Sequence, residues 1–120
     1  MKLNIFKRES NSAKDIEGVL RLRVNEPRLS AANVEQLRAE YLPKVAGKAT
    51  LVIELDQLSF MDSAGLGFLV GLRKAMLTPQ KMVLEGLSDP TLVELIKLTR
   101  MDQIFLLSDG PKQTKQLIDR

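Results

Sequence analysis

The run Thr50-Leu51-Val52-Ile53-Glu54-Leu55 constrains this chain more than any other feature. It is too short for a stable helix, its core is apolar and partly β-branched, and polar loops bound it. That pattern suits a central strand buried on both faces, and such a strand needs packed layers above and below it. The flanking sequence supplies them. Val19 to Val24 sets Leu20, Leu22 and Val24 alternately against Arg21 and Arg23, a period of two that predicts a strand with one buried face and one wet face. Leu3 to Phe6 reads as a short strand and Lys7 to Gly18 as a polar loop, so the two strands could form a hairpin with a long connection. Met82 to Leu84 and Ile104 to Leu107 read as further strands.

Between the strands the period changes to that of a helix. Ser30 is an expected N-cap for a helix carrying Val34, Leu37, Tyr41 and Leu42, which Pro43 ends or weakens. Leu66, Leu69, Val70, Leu72, Met76 and Leu77 share one side of a second helix, closed by Thr78-Pro79. Asp89-Pro90 places a cap and a first-turn proline before Leu92, Leu95 and Ile96. Gly110-Pro111 precedes a short last helix with Leu117 and Ile118. Strands alternating with helices predict an α/β fold, with a mixed, mostly parallel central sheet of about four to five strands and about four helices. All 120 residues are expected to form one domain.

Composition narrows the chemistry. The chain has no cysteine and no histidine. It therefore lacks thiolate chemistry, disulfides, the usual general base and the commonest metal ligand. No catalytic residue, metal site or cofactor is expected. A net charge of +3 spread along the chain, without a basic run, argues against nucleic acid as a partner. No segment approaches the roughly 20 apolar residues of a membrane span, and no leader is evident at Met1 to Glu9, so no membrane insertion and a cytoplasmic location are expected. A phosphate-binding Gly-rich loop and a serine-hydrolase elbow are both missing. Ser59 and Ser88 read as turn serines, and acids such as Glu94 and Asp102 as solvated charges.

One segment is not generic. Phe60-Met61-Asp62-Ser63-Ala64-Gly65-Leu66-Gly67 joins the buried strand to the next helix, where α/β folds commonly place binding sites. Ser63 is expected at the N-cap or in the first turn, beside free N–H groups and the positive end of the helix dipole. It is either a plain capping hydroxyl or a phosphate acceptor at that tip. Asp62 orients Ser63, marks it for a kinase, or simply accepts local backbone bonds. Ser63, Gly67, Gly71 and Lys74 share one helix edge, with Phe68 beside them. Each helical glycine costs up to about 1 kcal/mol relative to alanine. The two glycines serve either a close contact within the domain or a smooth surface for a partner, with Phe68 as its apolar anchor.

Leu58-Ser59-Phe60-Met61-Asp62-Ser63-Ala64-Gly65-Leu66-Gly67 closely resembles the signature of the STAS domain family, above all its anti-anti-sigma factors, the anti-sigma factor antagonists. Gly86-Leu87-Ser88-Asp89-Pro90 and Leu98 to Phe105 extend the likeness more loosely. The resemblance implies phosphorylation of Ser63 by an anti-sigma factor that is also a serine kinase, with release of the phosphorylated form and resetting by a PP2C-type phosphatase. It implies a partner surface at Asp62, Ser63, Ala64, Gly67, Phe68, Gly71 and Lys74, and an effect on transcription through a freed sigma factor. It also allows a constitutive interaction subunit of a lipid-transport ABC complex or a stress-signalling assembly. Two departures stand out. Ala64 replaces the signature's second hydroxyl residue, and Val24-Asn25-Glu26-Pro27-Arg28-Leu29-Ser30 lacks the family's aspartate in a loop that touches the kinase in relatives.

Overall fold

The computed structural model describes residues 12–16, 18–77 and 81–119. Its strands are β1 (Ser12–Ile16), β2 (Val19–Arg23), β3 (Arg28–Leu29), β4 (Thr50–Glu54), β5 (Phe60–Met61), β6 (Lys81–Glu85) and β7 (Leu106–Ser108). Its helices are α1 (Val34–Val45), α2 (Ser63–Lys74), α3 (Pro90–Leu98) and α4 (Pro111–Ile118), with a 3-10 turn at Met101–Gln103. Five strands form one sheet in the order β1-β2-β4-β6-β7, and β3 and β5 pair separately. Only β1–β2 is antiparallel. The expected α/β architecture is therefore observed, with β4 at the centre.

Leu51 and Ile53 of β4 face the main core with Leu20, Leu22, Met82 and Leu84, while Val52 and Val83 are buried on the opposite face. Strand alternation dictates this division. The first face carries Tyr41, Phe68, Leu69, Leu72 and Ile96 from α1, α2 and α3. The opposite face carries charge. Glu54 lies directly across from Glu85 in the parallel ladder, an arrangement that is unfavourable by itself. Arg21 resolves it by donating to Glu54 at 2.9 Å and to Glu85 at 3.0 and 3.2 Å. Arg23 continues the network to Asp56 at 2.9 Å. α4 crosses this face over β6 and β7. Its one fully buried residue is Thr114, whose hydroxyl bonds the Glu85 carboxylate.

Several local expectations need correction. Residues 12–16, read as loop, form β1, and the hairpin turns tightly at Gly18, whose φ of +80° suits glycine. All five β1 residues are exposed, so no hydropathy pattern could mark them. The strand expected at Leu3 to Phe6 lies outside the described residues, as does Thr78-Pro79. Ser30 does not cap α1. Asn33 holds that position, and its side chain instead ties the preceding loop together, accepting from Ser30 N and donating to Arg28 O at 2.8 Å. α1 runs through Pro43 to Val45, since the carbonyl that Pro43 leaves unpaired belongs to Ala39 on the exposed face. Leu77 is exposed beyond the end of α2. The last strand starts two residues later than expected, because Met101–Gln103 winds into a turn entered through Arg100 in the left-handed region (φ 61°).

Arg21→Met leaves two facing carboxylates without their shared cation, one of them on a residue only 5% exposed. We expect a loss of about 3 kcal/mol in urea denaturation, within the range for breaking a buried ion pair from one side.

Candidate functional site

β3 follows β2, and β5 follows β4, so their two-residue ladder lies beyond the carboxyl ends of the parallel strands, where open α/β sheets place ligands. α2 begins there. Asp62 is its N-cap, with the carboxylate accepting from Gly65 N at 3.0 Å and from Ala31 N at 3.2 Å. One side chain thus fastens the β3–α1 loop to the start of α2. The Asp62 N–H closes the same junction by donating to Leu29 O at 3.2 Å. The Gly65 bond foremost, seconded by that of Ala31, holds the Asp62 carboxyl below its ordinary range, against a smaller opposing effect of desolvation.

Gly65 is required sterically. A Cβ there would stand 2.3 Å from Leu29 O and 2.7 Å from Met61 Cγ. The sequence reading passed over Gly65, although a glycine in a helix's first turn signals a close approach of backbone. Gly67 and Gly71 differ completely: a Cβ at either would meet nothing within 4 Å among the described residues. Of the two readings left open for that pair, close packing inside the domain is therefore removed.

Ser63 is the first residue of α2 and is exposed, and its hydroxyl has no hydrogen-bond partner among the described residues. Gly67 and Lys74 are exposed along the same edge, and Gly71 is half-buried. Ala64 turns partly inward and packs on the core. Phe68 must be corrected. At 1% exposure it lies in the core, its ring 6.3 Å from that of Tyr41, and it offers nothing to a partner. It stands 140° around the helix from Ser63, on the flank that α1 covers. Among the described residues, the exposed aromatic at this end is Phe60, with the Arg28 guanidinium 4.4 Å above its ring. Sequence reasoning missed this pair because its residues are far apart in the chain and meet only through the β3–β5 ladder.

A family model described as STAS domain matches residues 11–114. A solved anti-sigma-factor antagonist (STAS) domain protein from Planctomyces limnophilus superposes with a TM-score of 0.74 at 19% identity, covering 91% of this chain and 96% of that one. The Bacillus cell fate determinant SpoIIAA in its phosphorylated form gives 0.60 at 18%, covering 92% and 99%. A sulfate transporter family protein from Wolinella succinogenes gives 0.63 at 14%, covering 88% and 91%. At these identities the likeness is one of fold.

Two measurements probe the junction. Gly65→Ala should lose about 3 kcal/mol in chemical denaturation through overpacking against backbone, whereas Gly67→Ala should gain up to about 1 kcal/mol from helix propensity. Asp62→Asn should keep the cap but alter acid unfolding. A carboxylate whose folded pKa is depressed adds stability above its unfolded pKa and surrenders it as pH falls through the folded value. The variant's stability should therefore fall less than wild type's below the ordinary carboxylate range, as followed by melting temperature against pH.

Proposed function

Because the chain belongs to the STAS domain family, we propose that it is an anti-sigma factor antagonist whose docking on an anti-sigma factor is switched by phosphorylation of Ser63. The observation that carries this reading is the open edge of α2. Two helical glycines lie in line with an exposed serine at the helix tip, and among the described residues neither the glycines meet a packing neighbour nor the serine hydroxyl a hydrogen-bond partner. Their conformational cost is compensated by a partner that approaches the bare backbone closely. On this reading Asp62, Ser63, Ala64, Gly67, Gly71 and Lys74 form or support the partner surface, and Phe60 with Arg28 takes the anchoring place expected of Phe68.

The junction gives the switch its physical form. The Asp62 carboxylate already takes the Gly65 N–H that an incoming phosphate would otherwise use. A phosphate on Ser63 therefore adds about −1.5 to −2 charge beside a fixed anion, rather than gaining a ready internal acceptor. The fold has no reason to rearrange. The partner meets a dianion at the rim of an interface that it covers when the serine is neutral, and desolvation and repulsion expel it. Phosphoryl transfer belongs to a serine-kinase activity of the partner, and removal to a PP2C-type phosphatase. The chain itself contributes the acceptor hydroxyl and needs no cofactor, and release of the sigma factor carries the signal to transcription.

The likeness to a sulfate transporter family protein supports a second reading, in which the same edge is a fixed docking patch in a larger assembly. The readings separate in native cells. Under the first, peptide mass spectrometry finds phosphoserine at Ser63 in some growth condition, Ser63→Asp weakens partner binding about tenfold or more, and Ser63→Ala binds but is not released by ATP. A Ser63→Asp chain that held the purified partner as tightly as wild type would end the switch reading.

A further inference from the structure

The reverse face of the sheet holds a second feature, remote in construction from the α2 edge. α4 covers β6 and β7 but stops short of the hairpin, and no other element among the described residues covers the reverse face of β1 and β2. The result is a groove of about 400 Å³ between hairpin and helix, within the roughly 300–1,000 Å³ usual for small-molecule sites. Antiparallel register sets its lining in two rows. Ile16 lies directly opposite Val19, and Lys14 directly opposite Arg21. Ile118 of α4 completes the apolar side, and Ile16 is 60% exposed; α4 also brings Lys115 and Asp119 to the lining, where they pair with each other at 3.0 Å.

The cation row is electrostatically unbalanced. Like charges directly opposite each other in a ladder repel. Arg21 is compensated by Glu54 and Glu85, but Lys14 has no ionic partner among the described residues. Among the described residues, Lys14 is thus a cation without an ionic partner, lining the same concave site as the apolar pair Ile16 and Val19. A purely apolar ligand would leave that ammonium's environment unimproved, and a free inorganic anion would leave Ile16, Val19 and Ile118 wet. The complementary ligand has both parts.

We propose that this groove binds a free single-chain anionic amphiphile, with its apolar body along Ile16, Val19 and Ile118 and its carboxylate-type head on Lys14. The site acts independently of Ser63. The probe is monomeric decanoate titrated into the whole chain carrying methyl-labelled isoleucine and valine, with decanol as the uncharged control. Saturable shifts at Ile16, Val19 and Ile118 are expected, with decanoate binding at least tenfold tighter than decanol. Lys14→Glu should remove that preference, and Ile16→Asp should abolish binding. Both positions are exposed, so thermal melting of either variant should match wild type and separate lost binding from lost folding. Ser63→Asp should bind decanoate as wild type does. No saturable shift in the groove, equal affinity for decanoate and decanol, or unchanged binding by Lys14→Glu would each overturn the proposal.

Discussion

The junction between Leu29 and the first turn of α2 is the constraint on which the arrangement of this end of the molecule rests. The Leu29 carbonyl accepts from Asp62 N, while the missing side chain of Gly65 lets the helix settle against that same oxygen. Asp62 then reaches from the helix cap to Ala31. Two backbone segments that are distant in sequence, one at Leu29 to Ala31 and one at Asp62 to Gly65, are so drawn to one point. Ser63 has nowhere to go but outward: the residue before it is the cap, and the face of the first turn opposite it is filled by Gly65 and its neighbours. Exposure of the hydroxyl is thus a consequence of close packing next to it.

Much of the fold could be read from the chain because burial wrote a period into it. β4 shows as an apolar run since both its faces are covered, and β2 alternates since one face meets Arg21's ion network. α3 announced itself through Asp89, which accepts from Thr91 N and Leu92 N just as a cap before proline suggests. What remained hidden had no apolar signal. β1 is wholly exposed, held by its ladder and a glycine turn. The last helix was marked by Gly110-Pro111, but its anchor was not: Thr114 is a polar residue bonded to Glu85, 29 residues earlier in the chain.

The site divides along the same line. The Asp62-Ser63 tip and the glycine edge could be placed by local spacing, because capping and helical geometry are local. Phe68 was misplaced because it lies on the flank of the helix, and only the position of α1 decides whether a flank is wet or dry. Gly65, Arg28 and Phe60 gain their meaning from contacts across loops. A sequence-local reading therefore located the chemistry but not the shape of the surface around it.

Seating α4 on the Glu85 carboxylate has a structural corollary. Apolar contacts are indifferent to small slips and rolls, but a hydroxyl bonded to a buried anion is directional. Rotating α4 by one residue would swing Thr114 away and present Gln113 or Lys115 instead, stranding an acceptor in a nearly dry place. The helix is consequently indexed to a single phase about its own axis, and through it the wall of the reverse-face groove is given a fixed contour.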